Sequence, residues 1–409
     1  MPIHSLQGSR THDVLIVGGG LVGACLAIAL DAVGIDVGMV EAAPPGALPA
    51  VFDERNLSFA EATVNALTAL AVLPLLTQPT GSIRRIHVSR AGDFGRVLLA
   101  ASDHGRQEFG RVVTARDFGA ALEARMCGLP RLTRYRPARF AGLGDADQVQ
   151  RTIRIAGADG EHTLGARLLV AADGARSAVR SALGIHAREH DYAQSLFVAR
   201  LRAQRAPDGT AYERLTAHGP TALLPRGDGH FGLIHAVARD QAGAVAALGE
   251  SAFLERVQLV FGWRVGRLLG CGPRTAYAAV SGVADELVAP RTVLVGNAAQ
   301  SLHPIGAQGF NLGLRDALTL AECIADAGDP GDPVVLAAYA RRRSQDRART
   351  LAFADGLARF SASDAPLSSV LRSTGLLAAD AMGSVQGWLV GGAMGYRGDV
   401  PALCLAVPA

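Results

Sequence analysis

Residues 13–41 read DVLIVGGGLVGACLAIALDAVGIDVGMVE, and this one stretch carries most of the information about fold. The run VLIV predicts a buried strand, and the segment after the glycines is long and apolar enough for a helix packed inside the protein. VGMV then predicts a second strand. Strand, glycine turn, helix and strand make one βαβ unit. Gly18, Gly20 and Gly23 fit the spacing G-x-G-x-x-G. The first glycine permits the tight turn, the second lets a pyrophosphate approach the backbone, and the third lets the helix pack close to the strand. Glu41 closes the second strand about 20 residues on, where a carboxylate accepts hydrogen bonds from an adenosine ribose. A dinucleotide such as FAD or NAD is the expected ligand.

Two later stretches bear on which dinucleotide it is. Residues 168–185, LLVAADGARSAVRSALGI, predict another strand feeding a helix, with Asp173-Gly174 at the turn. Asp173 can cap the free helix amides and Arg180 can pair back to it, so a purely structural turn and a cofactor contact both remain open. Residues 291–324, RTVLVGNAAQSLHPIGAQGFNLGLRDALTLAECI, predict a strand, a close approach at Gly296 and a polar side chain at Asn297. Asn297 can both donate to and accept from a ribityl hydroxyl. Pro304 stiffens the following loop, Gly306 and Gly309 loosen the next turn, and Asn311 opens an amphipathic helix whose free amides can face an electron-rich ring.

Taken in order over about 300 residues, these three blocks resemble the group A flavoprotein aromatic hydroxylases, the para-hydroxybenzoate hydroxylase superfamily. The resemblance implies FAD as cofactor, with NAD(P)H as a transient electron donor. It implies that Gly18, Gly20, Gly23 and Glu41 hold the ADP half, that Asp173 lies near the pyrophosphate, and that Asn297, Pro304, Gly309 and Asn311 lie near the ribityl chain and ring. Arg55 and Arg116 stand where that family presents arginines to the cofactor, with solvated or core-pairing roles as the alternative. Gly296-Asn297 departs from the superfamily's usual Gly-Asp. The form GNAAQSLHPIGAQGFNLGLRD is instead similar to the ubiquinone-biosynthesis hydroxylases, and the run RRIHVSRAGDFGRVLL of residues 84–99, followed by FGRVVTARDF, resembles their 2-polyprenyl-6-methoxyphenol hydroxylase branch. This implies a monooxygenase acting on a prenylated phenol with molecular oxygen. Hydroxylation of another phenol or secondary metabolite, a flavin reductase or oxidase, and a scaffold that binds a prenylated partner are the competing readings.

The expected fold is α/β: a Rossmann-type FAD-binding domain with a parallel sheet, interleaved with an antiparallel-sheet substrate domain and followed by a C-terminal helical region. The FAD-binding domain is assigned to residues 10–80, 105–190 and 285–345, the substrate domain to 81–104 and 191–284, and the helical region to 346–409. Within the substrate half, His235 is the one catalytic candidate, with a satisfied core histidine as the alternative. His303 is expected to shape the turn before Pro304. The sequence identifies no proton acceptor for the phenol.

Composition narrows the rest. The chain has 409 residues, 49% of them hydrophobic, and no lysine among its 40 basic residues, which excludes a lysine Schiff base and a P-loop lysine. A net charge of +3 gives no reason to expect a nucleic-acid partner. The five cysteines show no metal-ligand spacing, so no metal is expected. No apolar run reaches the roughly 18 residues of a membrane span, and the expected location is cytoplasmic. Leu, Met and Trp recur at helical spacing within residues 364–398, as a core stripe or as a peripheral contact with the inner face of a membrane or a quinone-biosynthesis complex. Arg341, Arg342, Arg343, Arg347 and Arg349 are expected to form a solvated helix face, or else to meet anionic lipid.

Overall fold

The computed structural model describes residues 10–49, 53–303, 305–362 and 366–405. The βαβ unit of residues 13–41 forms as expected, with strand Arg10–Val17, helix Leu21–Ala32 and strand Val37–Val40. It sits at the centre of a sheet ordered Val288–Ala289, Thr292–Leu294, Gly160–Ala171, Arg10–Val17, Val37–Val40, Leu132–Tyr135. The last five strands run parallel. Val14, Leu15 and Ile16 are all fully buried, which is why the strand shows no polar alternation: both faces of the sheet are covered. Gly160–Ala171 outgrows its parallel neighbours and carries Arg151–Gly157 and Ala138–Ala146 as an antiparallel extension.

A second sheet of nine strands is ordered Gln300–Ser301, Thr275–Ala284, Ala187–Ala203, Phe231–Ala238, Gly219–Pro225, Thr210–Thr216, Arg85–Arg90, Arg96–Ala100, with Leu268–Cys271 paired to Ala187–Ala203. It is antiparallel except where Thr210–Thr216 runs parallel to Arg85–Arg90. Its two faces differ by the period of two. Leu223, Leu233 and Phe197 pack outward on Phe253, Val257 and Phe261 of helix Glu250–Phe261. Ile86, Ala211, Leu224 and Ile234 face inward, against Leu376, Val390 and Met394. Leu376 and Val390 come from helices Pro366–Ala381 and Gly383–Ala393, and Met394 ends the second of them, so the C-terminal stripe is largely a cap on the second sheet. The edge strand Gln300–Ser301 belongs to the third sequence block, and through it that block joins the two sheets.

The arginine run does not form the expected solvated face. It lies on the long helix Pro333–Ala362, where Arg341 and Arg349 are exposed and the other three turn inward. Arg343 is 0% exposed, with Nε 2.8 Å from Asp316 and Nη2 2.7 Å from Asp346. Arg342 pairs with Glu322 and Asp399, and Arg347 donates to Gln300 and to the carbonyls of Ala284 and Ala299. Helical spacing cannot separate these cases, because most of the partners that draw the arginines in, Asp316, Glu322, Asp399 and Gln300 among them, are distant in sequence.

Asp346 also accepts from Arg315, at 2.7 Å. Burial alone would raise the Asp346 carboxyl, but Arg315 and Arg343 outweigh it and hold the group below its ordinary 3.8. Its stabilising contribution is therefore complete above the unfolded-state value and is lost as pH falls through the lower folded value. Asp346→Ala leaves two buried guanidiniums without their shared partner, and the expected cost is about 3 kcal/mol or more in denaturant unfolding at pH 7. An unchanged unfolding midpoint would refute this account of the network.

Candidate functional site

A cleft of about 670 Å³ opens where Arg10–Val17, Val37–Val40 and Gly160–Ala171 end, between the two sheets. The carboxyl ends of parallel strands are where an open α/β sheet leaves room for a ligand. Gly18, Gly20, Glu41, Arg55, Asp173, Asn297 and Gly309 all line it, so residues up to 291 positions apart share one surface.

The first block is built by steric exclusion. Gly18 has φ +108°, and a Cβ there would lie 2.4 Å from the carbonyl oxygen of Ala172. Gly23 does not line the cleft: a Cβ on it would lie 2.0 Å from the Gly18 carbonyl oxygen, so it holds the turn from behind. Gly20 caps the helix Leu21–Ala32, whose first-turn amides point to the cleft. The Glu41 carboxylate accepts from the Gly19 amide at 2.7 Å and the Ala43 amide at 2.8 Å. Each of its oxygens has a lone pair to spare for a hydroxyl.

In the second block, Asp173 Oδ2 accepts from the amides of Ala178 and Val179 at 2.7 and 3.2 Å, and Ser177 Oγ accepts from the Arg180 amide. The capped turn is thus present. Its other oxygen, Oδ1, is buried with no hydrogen-bond partner among the described residues. Arg180 does not pair back to Asp173 as expected. Its guanidinium donates to the carbonyls of Ala298 and Ala175, both at 2.8 Å, and so ties the second block to the third.

The third block divides between lining and scaffolding. Asn297 is exposed at the cleft, and Gly309 begins the helix Gly309–Ala325, so a second set of first-turn amides meets the cleft. The Asn311 side chain, by contrast, is 2% exposed and committed within the protein. Its Oδ1 accepts from the Ala60 amide and the Thr63 hydroxyl, and its Nδ2 donates to Ser58 and Ala307. It fastens the strand Asn56–Ala60 to this block, and that strand supplies Leu57 and Ser58 to the cleft wall. Pro304 lies outside the described residues.

The two arginines separate. Arg55 lines the cleft, bound to Asp53 at 2.8 Å and lying 4.4 Å over the Tyr277 ring. Burial would raise Asp53, but hydrogen bonds from Arg55 and Tyr277 hold its carboxyl below the ordinary range. Arg116 lies outside the cleft lining, mostly exposed and paired with Glu54, because the start of helix Ala115–Met126 turns it to solvent.

His235 is also displaced from the site. In Phe231–Ala238 it alternates with Ile234, and since Ile234 lines the cleft, His235 faces the opposite core. There it is 2% exposed, hydrogen-bonded to Thr221 at 2.8 Å and edge-on to Phe253. Burial, helped by Arg256, pulls its pKa down to about 4. His303 does shape its turn: Nδ1 accepts from the Ile305 amide, leaving Nε2 to donate to Gln194. Burial likewise brings it to about 4. Sequence reading missed the rim arginines Arg139 and Arg176 and the apolar wall of Phe140, Leu224, Ile234 and Phe310. Only the alternation of Phe231–Ala238, read against a known inner face, could have pointed to Ile234.

Residues 11–354 match the model of a family described as FAD binding domain. The ubiquinone hydroxylase UbiL of Rhodospirillum rubrum is 35% identical over 98% of this chain and 94% of its own. The 3-demethoxyubiquinol 3-hydroxylase of Escherichia coli is 26% identical over 92% and 96%. Among solved structures, p-nitrophenol 4-monooxygenase PnpA of Pseudomonas putida superposes with a TM-score of 0.79 at 18% identity, covering 96% of this chain and 99% of that one.

His235→Phe should leave kcat/KM within about two-fold, since a residue outside the cleft does not contact the transition state. In the parent protein, a histidine held neutral by burial opposes folding once its unfolded form protonates. Stability should therefore fall as pH drops below 6.5 and stop falling near 4, and His235→Phe should remove part of that slope. A large loss of turnover with normal stability would return His235 to the site.

Proposed function

Because the chain belongs to the FAD-binding domain family, among its ubiquinone-biosynthesis hydroxylases, we propose that it hydroxylates the ring of a polyprenylated methoxyphenol, using FAD, NAD(P)H and molecular oxygen. It is an FAD-dependent monooxygenase. The observation that carries the substrate reading is the continuity of the cleft. It runs from the glycine turn and Glu41 to an apolar end walled by Leu224, Ile234 and Leu302.

The residues present fit the cofactor. At Gly18 a side chain would run into the turn, Asp173 keeps a buried oxygen without a partner among the described residues, and two helix N-termini offer free amides to an anionic group. Gly18, Gly20 and the Leu21–Ala32 amides would hold the pyrophosphate, with Gly23 keeping the turn in shape. Glu41 would hold the adenosine ribose, and Asp173 a hydroxyl or ordered water beside the phosphates. Asn297 would meet the ribityl chain and the amides from Gly309 onward the ring, while Arg55 lies at the wall. When bound, the flavin supplies the reduction and activation of oxygen, which no protein side chain can provide. The chain's own share is to orient the phenol, keep water from the reacting end, and hold a field that favours negative charge at the ring.

A polyprenyl chain partitions into a bilayer, and the same reading extends to a peripheral membrane contact. None of the described helices is long and apolar enough to cross a membrane. The C-terminal helices and the link between them nevertheless expose Val370 (54%), Met382 (50%) and Trp388 (59%). Such side chains sit well at the depth of lipid headgroups.

The purified protein should be yellow and should convert a short-chain 2-prenyl-6-methoxyphenol to a hydroxylated product when NAD(P)H is added. Consumption of NAD(P)H and oxygen without that product would overturn the hydroxylase reading. Gly23→Val forces a side chain into the Gly18 carbonyl, so flavin absorbance per protein should fall several-fold. Co-sedimentation with anionic vesicles should weaken in Trp388→Ser, and equal sedimentation of the two proteins would remove the membrane contact.

A further inference from the structure

Strand Thr210–Thr216 presents two unlike faces. Tyr212 stacks edge-on to Phe261 at 5.7 Å, and Arg214 Nε donates to the Val260 carbonyl, so both face the outer helix. By alternation Ala211, Glu213 and Leu215 face inward. Ala211 packs in the cluster of Leu224 and Ile234, and Leu215 packs with Ile305 and Leu302. A glutamate therefore stands between two apolar residues on the face turned toward the cleft.

The sheet register places it closely. Val88, Glu213, Ala222 and Ile234 form one row across four strands. Ile234 lines the cleft, and only the methyl of Ala222 stands between it and Glu213 in that row. Leu224 and Leu302, which belong to the clusters on either side of Glu213, line the cleft as well. Glu213 keeps part of its surface open, as do Val88 and Ile234 in the same row, whereas Leu215 and Ala222 are buried.

The charged groups around it are engaged elsewhere. Arg90, on the adjoining strand opposite Leu215, lies 3.6 Å from Asp93. Gly219–Pro225 on the other side carries no titratable group. Asp355, on the helix that brings Ala354 to Leu215, has an interaction of its own. His303 in the facing loop is held neutral by burial, with its ring nitrogens engaged by the Ile305 amide and Gln194. No ion pair of the described residues involves Glu213, and burial pushes its carboxyl up to about 7.

We propose that Glu213 is the catalytic residue that takes the phenolic proton of the substrate, an inference that rests on the hydroxylase reading above. The phenol O–H bond breaks, its electron pair stays on the phenolate oxygen, and the proton passes to a Glu213 carboxylate oxygen. The phenolate ring is the more electron-rich nucleophile toward activated oxygen. One negative charge moves from carboxylate to phenolate, so the cleft gains no net charge. A base that titrates near neutrality is suited to this transfer, being half ionised where the free phenol, at about 10 by analogy with tyrosine, is almost wholly protonated.

The test uses the FAD-loaded protein and a short-chain 2-prenyl-6-methoxyphenol. In the parent protein kcat/KM should rise with pH through a limb near 7. In Glu213→Gln, which keeps size and a hydrogen bond but not the base, that limb should vanish. At pH 7 kcat/KM should fall about 100-fold, the lower end for general base catalysis, and recover toward the pH at which the phenol ionises unaided. Ala222→Leu fills the space between Glu213 and the cleft with the carboxylate intact. It should flatten the same limb, so the inference stays testable if Glu213→Gln fails to fold. A parent pH profile in either folded variant, or a loss confined to KM, overturns the proposal. A parent protein that hydroxylates no such phenol at any pH overturns the functional reading. One that hydroxylates it with no limb near 7 overturns the acceptor alone.

Discussion

Two helices can aim their N-termini at one cleft only if their axes come close, and here that closeness depends on missing side chains. Helix Leu21–Ala32 packs on helix Gly309–Ala325 through Val22, whose methyls would lie within 2.9 Å of a Cβ at Gly296 and 2.8 Å of one at Gly313. Gly23 keeps the turn below tight in the same way. Each helix start carries about half a positive charge, and two like poles at one cleft favour an anionic occupant. Glu41 and Asp173 stand beside those poles with acceptor capacity left over. The cleft is thus electrostatically prepared for a ligand that bears both phosphates and hydroxyls.

The third block could not hold this position by packing alone. Asp316 accepts from the Gly296 amide, the Gln300 side chain and Arg343, so one buried carboxylate fixes the turn, the bridging strand and the long C-terminal helix together. Asn311 does the same for the strand Asn56–Ala60, and Arg180 for the second block. Such networks are costly when only partly satisfied, which makes them rigid when complete. The segments that carry the cleft are therefore joined chiefly by hydrogen bonds from a few polar side chains. The apolar core, extensive as it is, lies mostly behind them.

The second sheet contributes a different physical environment. Its inner face is almost entirely apolar, closed by the C-terminal helices on one side and by the loop of the third block on the other. In such surroundings an isolated carboxyl such as Glu213 is held near neutrality in its titration, while a carboxyl beside arginines, such as Asp53, is driven the other way. The same fold thus offers a polar, dipole-rich end and an apolar end within one continuous cleft.

By itself the sequence determined the βαβ unit, the glycine spacing and the two later strand-to-helix turns, because those depend on local rules: which residues can adopt a left-handed turn, which periodicity fits a strand or helix, and which side chain can cap an amide. Gly18, Gly20, Glu41, Asp173, Asn297 and Gly309 were legible for that reason. Only the tertiary structure decided which side chains remain available. Asn311 looked like a ligand contact and is bound within the protein, Arg116 turns to solvent, and His235 differs from Ile234 by one position and so lies on the wrong face of its strand. The arginine run of the long helix read as a surface, yet three of the five turn inward, onto partners that lie up to 57 residues away in the chain. Glu213 gave no local signal at all. Its position beside the cleft follows from sheet register and from which face the C-terminal helices cover, and both are set by long-range packing.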